Sequence, residues 1–266
     1  MKKPLGLALT LLAALAALAA PWLSPHDPLQ ADFAAFLKPP GTDAHPLGTD
    51  QLGRDLLARV LYGARLALFI GVCTVVVTAV VGGLLGLVAG WVEGWPSALL
   101  MRIADVQLSF PFILLALTIN AIVGLGLRNI ILSLSAAGWV VYARVVRAEV
   151  LAVKQRDFVQ AAAALGVGSG RLLFRHVLPN VAPSIIVVAS LQFSQFIVAE
   201  AAISYLGFGV QPPTPAWGSM LSESRDYLFV AWWLGAFPGG ALALTALGVN
   251  LLGDWLRDTF DPKLRV

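Results

Sequence analysis

Of the 266 residues, 58% are apolar and only 12% are charged, and the formal net charge is +3. An average soluble domain carries about 25% charged residues, so this chain has too few to cover a water-facing globule of its size; a bilayer suits it as solvent. The basic residues are scattered between hydrophobic blocks, which excludes a nucleic-acid-binding face, and the single cysteine, Cys73, excludes an internal disulfide.

A membrane-crossing helix needs roughly 20 predominantly apolar residues. Such stretches occur in order at 4–25, 66–91, 106–127, 129–143, 181–199 and 227–253. The fourth is short and ends on Arg144 and Arg147. The expected fold is therefore an all-α integral membrane protein with six transmembrane helices and both termini on one side. The first stretch also fits a cleavable signal peptide, because Lys2 and Lys3 precede an apolar run with small residues at Ala17, Ala19 and Ala20. The five later spans favour an uncleaved anchor.

Within the second span, Gly82, Gly86 and Gly90 recur at four-residue spacing and so share one helix face. A neighbouring helix, in this chain or in a second subunit, could approach closely there. Pro111 and Pro238 interrupt the third and sixth spans and predict kinks. Polar residues at membrane depth are costly and face protein or water. Asn120, Gln192, Gln195, Glu200 and Asn250 are of this kind. Gln192, Gln195 and Ala199 fall on one face, consistent with either a pathway lining or hydrogen bonding between helices. Glu200 is placed to reach the interface. Asn120, Gln192 and Gln195 are the pathway candidates.

Lysine and arginine mark the cytoplasmic side of a membrane protein. Arg144, Arg147, Lys154, Arg156, Arg171 and Arg175 lie between the fourth and fifth spans. Lys2, Lys3, Arg257, Lys263 and Arg265 fall on the same side, giving an N-in, C-in topology. The opposite side carries Lys38, Arg54, Arg59, Arg65, Arg128 and Arg225, interleaved after the first span with Asp27, Asp32, Asp43, Asp50 and Asp55. Loops 24–65 and 205–226 are thus outside, and loop 144–180 is inside.

The inner loop contains DFVQAAAALG from Asp157 to Gly166. Asp157 is expected as N-cap, with Gln160 reaching back to its amide as in a capping box. The run Ala161, Ala162, Ala163, Ala164 favours a short smooth helix, and Gly166 suits a left-handed C-terminal cap. An amphipathic segment from Arg171 follows, which Pro179 is expected to end. Alanines allow close approach, so this loop is a docking candidate, although a surface helix would show similar capping.

This segment resembles the EAA loop of permease subunits in binding-protein-dependent ABC importers, through Ala161, Ala162, Gly166, Leu178 and Pro179. Gln160 departs from the family's usual Glu, which keeps the hydrogen-bonding geometry but loses a charge. The stretches from His45 to Arg65, Glu200 to Gly218 and Asn250 to Arg265 are similar to C-type permeases for dipeptides, oligopeptides and nickel. The resemblance implies a type I ABC importer permease fold in a bacterial or archaeal inner membrane. It implies an anchor and outer segment over 1–65, and a permease core over 66–266 with a coupling loop at about 144–180. It implies partners: a second homologous permease subunit, two cytoplasmic ATPase subunits, and an extracytoplasmic binding protein for peptides or a small solute such as a nickel chelate. Asp157, Gln160, Ala161, Ala162, Gly166, Leu178 and Pro179 would couple to the ATPase.

No catalytic, cofactor or metal site is expected. The chain has no Gly-Lys dipeptide, which a phosphate-binding loop requires, so ATP would be bound by partner subunits. A stand-alone channel or secondary transporter would not need the docking loop. An intramembrane hydrolase would need a nucleophile or metal motif; neither HExxH nor GxSxG is present, and His26, His45 and His176 are scattered over both sides.

Overall fold

The computed structural model describes residues 2–42, 44–92 and 94–260. Asp43, Lys263, Arg265 and the end of the C-terminal stretch lie outside the described residues. Among the described residues the chain is helical, and its β-bridges are two isolated ones, Thr42 to His45 and Thr49 to Asp55.

The elements are α1 (Lys2–Leu23), α2 (Leu56–Trp91), α3 (Trp95–Leu108), α4 (Phe112–Val123), α5 (Leu127–Lys154), α6 (Asp157–Ala164), α7 (Ser169–Leu172), α8 (Leu178–Tyr205), α9 (Trp217–Ser224) and α10 (Trp233–Phe260). One end of the bundle, here the basic end, holds the start of α1, the α2–α3 turn, α6 and α7, and the end of α10. The far end holds segment 24–55, the α4–α5 turn and α9.

Among the described residues five helices are long and apolar enough to cross a membrane, and a sixth span exists if the bent pair α3–α4 counts as one. Single-helix span 106–127 is thus corrected. α3 and α4 meet at 95°. Pro111 has no amide hydrogen to continue a helix, and its extended backbone (φ −57°, ψ 128°) turns the chain. Pro238, in contrast, lies inside a continuous α10.

The short fourth span is also corrected, since α5 runs on through Arg144 and Arg147 to Lys154. Other helices meet its charged turns. Arg144 pairs with Asp105 of α3. Arg147 Nε donates to Ser97 Oγ at 3.4 Å, and Lys154 Nζ donates to the Trp91 carbonyl at 3.2 Å. α2 likewise begins ten residues before the uncharged run, where the Asp55 carboxylate accepts the Ala58 amide at 2.7 Å as N-cap.

α2 and α5 run parallel and pack along the glycine face. A Cβ added at Gly82 would stand 2.3 Å from the Trp139 carbonyl oxygen, one at Gly86 2.6 Å from that of Ala143, and one at Gly90 2.6 Å from Val150 Cβ. The glycines therefore serve this chain's own bundle. α1 is part of it too: Ala17 and Ala20 are buried, and a Cβ on Gly6 would meet Leu251 of α10 at 2.8 Å.

Three clusters of buried apolar residues fill the interior. One lies toward the far end around Leu56, Trp217, Met220 and Trp233. A second joins α2, α5 and α8 through Ile70, Ile130, Leu134, Phe196 and Ile203. The third, at the basic end, is built from Leu87, Val146, Val150, Val153, Val159, Val177 and Val181. Large apolar side chains outside these clusters, such as Leu12, Leu15, Phe69, Val72, Val76 and Val80, are exposed along the helices. Lipid, as apolar as they are, leaves no reason to bury them.

Candidate functional site

The connection between α5 and α8 projects from the basic end. Arg156, with extended backbone (φ −75°, ψ 142°), occupies the N-cap position of α6. Its carbonyl accepts the amides of Val159 and Gln160 at 3.0 and 3.2 Å. Asp157 is therefore the first helical residue rather than the cap, and its charge still complements the helix N-terminus. The capping box does not form, because the shift by one residue moves Asp157 inside the helix. Gln160 Nε2 instead donates to the Gln155 carbonyl at 3.4 Å.

The other end of α6 follows its residues. Gly166 is left-handed, at φ +83°. Its amide donates to the Ala163 carbonyl at 2.9 Å and that of Val167 to the Ala162 carbonyl at 3.2 Å. This pair of bonds is a Schellman cap, and it satisfies carbonyls that the end of the helix leaves open.

Val159 is the one buried residue of α6 and belongs to the valine cluster of α5 and α8. Asp157, Gln160 and Ala161 are exposed and Ala162 is half-buried. Leu165 is 86% exposed, and Phe174 beyond α7 is 58% exposed, with Arg171 and Arg175 exposed beside them. Val159 thus anchors α6, Leu172 and Val177 anchor α7 and the stretch after it, and Ala161, Leu165 and Phe174 face outward from this knob.

Leu178 packs on the valine cluster and Pro179 lies in the first turn of α8. Pro179 does not end the segment before it. A π-helical stretch, Leu173–Val177, carries α7 directly into α8. Pro179 has no amide to donate to the helical turn before it, and it is in that turn that the regular α-helical bonding gives way to the π-helical stretch.

The pathway candidates separate in space. Gln195 is exposed and lines a cleft of about 270 Å³ with Phe112, Ser194, Val198 and Asn250. Gln192, one turn away, is buried. Asn120 is fully buried; its amide donates to the Phe208 carbonyl and its side-chain oxygen accepts Ser133 Oγ at 3.1 Å. It ties α4, α5 and the turn after α8 together. Glu200 is buried rather than at the interface, and accepts the Ser204 hydroxyl at 2.6 Å.

At the far end three of the interleaved charges of segment 24–65, Asp50, Arg54 and Arg59, form an internal network with Glu223. Arg54 and Arg59 are buried. Arg54 Nε donates to Asp50 Oδ2 at 2.6 Å, and Arg59 pairs with the same carboxylate. Arg54 and Arg59 also reach Glu223 of α9 at 3.4 and 3.2 Å, and Gln51 donates to it at 3.0 Å. Burial raises the Glu223 carboxyl above the ordinary carboxylate range; Gln51 and Arg54 pull it part of the way back, and Asp50 pushes it up. The local sequence around Glu223 gives no signal of this partnership, because Gln51, Arg54 and Arg59 lie far from it along the chain.

A multi-pass helical protein with an exposed loop element at its basic end and a polar-bordered cleft among its spans has the features of a membrane permease. Residues 82–266 match the family described as "Binding-protein-dependent transport system inner membrane component". The chain belongs to this family and is a multi-pass inner-membrane permease component of such a transport system. It is 45% identical over 265 residues to the "Di/tripeptide transport system permease protein DppC" of Pseudomonas aeruginosa (strain UCBPP-PA14), covering 98% of this chain and 88% of that one. It is 47% identical over 265 residues to the "Dipeptide transport system permease protein DppC" of Escherichia coli (strain K12), with the same shares covered.

Proposed function

We propose that this chain forms half of the membrane pathway of an ATP-driven importer of short peptides, and that α6 and α7 are the element a separate ATPase moves. The peptide class rests on what the relatives are named for. The coupling role rests on one observation: the knob exposes Leu165 and Phe174 beside Arg171 and Arg175. Hydrocarbon would cover the two apolar residues only by stripping water from the two cations, which is costly. A groove on a water-soluble protein covers both at lower cost, and small alanines let it approach.

The complete assembly in this reading has a second homologous permease, two ATPase subunits at the basic end and a substrate-binding protein at the far end. The basic end is cytoplasmic, with both termini inside, as the Lys and Arg distribution indicates. ATP binding and hydrolysis occur on the partners and shift the pathway between outward- and inward-facing states. Gln195 and Asn250 border the substrate route. The anchor is 1–65, and the permease core is 66–266 with its coupling loop at about 144–180.

Cross-linking tests this reading. With Cys73→Ser as background, Ala161→Cys at the knob and Thr214→Cys at the far end are treated with a short bifunctional reagent in intact cells. Ala161→Cys is expected to join a nucleotide-hydrolysing polypeptide, and Thr214→Cys is not. Membrane-impermeant thiol reagents should label Thr214→Cys from outside and Ser169→Cys only in opened cells. Cross-linking of the ATPase from Thr214→Cys alone would refute both the coupling role and the topology.

A further inference from the structure

We propose that His26, His45 and Asp55 form a binding site for a divalent transition metal of the zinc class at the far end of the bundle. The three come from separate parts of the outer segment. His26 follows α1, His45 lies in the loop, and Asp55 opens α2. One ligand atom from each lies within 4.8 Å of the other two. His45 Nδ1 is 2.8 Å and His26 Nδ1 3.8 Å from Asp55 Oδ2, and the two rings stand 4.8 Å apart between centroids.

Metal bonds of about 2.0–2.2 Å in a tetrahedron place ligand atoms about 3.3–3.5 Å from one another. The observed 2.8 Å contact would open slightly and the longer separations would close, both by side-chain rotation. His26 Nδ1 gives the second indication. It is a buried nitrogen with no hydrogen-bond partner. Such an atom loses solvation without compensation, and a metal ion would supply it.

Asp55 is already oriented for the task. Its Oδ1 accepts the Ala58 amide at 2.7 Å, which fixes the carboxylate and leaves Oδ2 facing the two imidazoles. Its negative charge offsets the positive end of the α2 dipole, which would otherwise oppose a cation. Two imidazole nitrogens and one carboxylate oxygen form a donor set suited to zinc and its neighbours, not to magnesium or calcium, which take oxygen ligands. A cleft of about 560 Å³ lined by Ser24, His26, Asp27, Tyr62 and Thr214 opens beside His26 and gives an entry path and room for a water as fourth ligand. Bound metal would staple the beginning, middle and end of the outer segment together.

The test uses the full chain in detergent, stripped with a chelator and titrated with Zn²⁺ against a chromophoric competitor. Wild type is expected to take up one equivalent with a rise in thermal midpoint. His26→Ala, which breaks no side-chain hydrogen bond, should remain folded and lose both responses. X-ray absorption at the zinc edge should show two imidazoles in the wild-type shell. Failure of wild type to bind stoichiometrically, or uptake unchanged by His26→Ala, overturns the proposal. His26→Gln gives an independent check and should behave as His26→Ala does.

Discussion

Trp217 donates its indole N–H to the Val60 carbonyl at 3.0 Å, and the same ring lies over Gly63, where an added Cβ would stand 2.7 Å from ring carbon Cδ1. The glycine makes room for the indole, and the bond fixes α9 against the start of α2. Gly63→Ala is expected to destabilise by about 1–3 kcal/mol through overpacking. Trp217→Phe should cost at least the hydrogen bond, about 1 kcal/mol. The double variant should be less destabilised than the sum, because the smaller ring relieves the clash. Denaturant titration of the detergent-solubilised protein, following tryptophan fluorescence, measures the three values.

Neighbouring glycines of α2 should respond with opposite sign. Gly86→Ala drives a methyl group toward the Ala143 backbone, 2.6 Å away. It should destabilise by about 1–3 kcal/mol and lower the amount of folded chain in the membrane. Gly83→Ala meets only Ile185 Cδ1 at 3.8 Å. It should be neutral or gain up to about 1 kcal/mol from helix propensity. Thermal midpoints of the two variants give the comparison.

The cap of α6 offers a way to separate folding from the proposed coupling. No atom lies within 4 Å of a Cβ placed on Gly166, so Gly166→Ala costs only its left-handed conformation, about 1–2 kcal/mol. The chain should insert normally, but the last turn of α6 should fray and ATP-dependent uptake should fall several-fold. Gly170→Ala, equally open and without a positive φ, should transport as wild type does. Uptake assays in membranes normalised for chain content compare them.

The raised Glu223 carboxyl fixes the sign of a pH effect. A carboxyl whose folded pKa exceeds its unfolded value keeps its proton in the folded state after the unfolded chain has lost it. Its contribution to stability is complete below the unfolded pKa and is lost as pH rises through the folded one. The difference in thermal midpoint between wild type and Glu223→Gln should therefore decline as pH is raised from about 4 to about 7. A difference that grows over this interval would reverse the assignment.

The long spans were legible because lipid demands uniform apolarity over a whole helix. Their ends were not, for the same reason. Arg144, Arg147 and Lys154 stay helical because α3 and Trp91 meet them, and such partners lie far off in sequence. Pro111 announced a break, but not that it turns the chain by 95°. The α6 element was legible at Gly166, where only backbone geometry matters, and misplaced by one residue at Asp157, where Arg156 took the extended position. Gln192 and Gln195 share a helical face by spacing, yet only Gln195 borders the cleft, since the position of neighbouring helices decides which part of a face is open.

Val159 is the one buried side chain of α6, and it enters a cluster that several helices build. Its valine cluster includes Val146, Val150 and Val153 of α5 as well as Val181 of α8. Were a partner to move this element, as proposed above, the displacement would enter a layer shared by α2, α5 and α8 rather than a single helix.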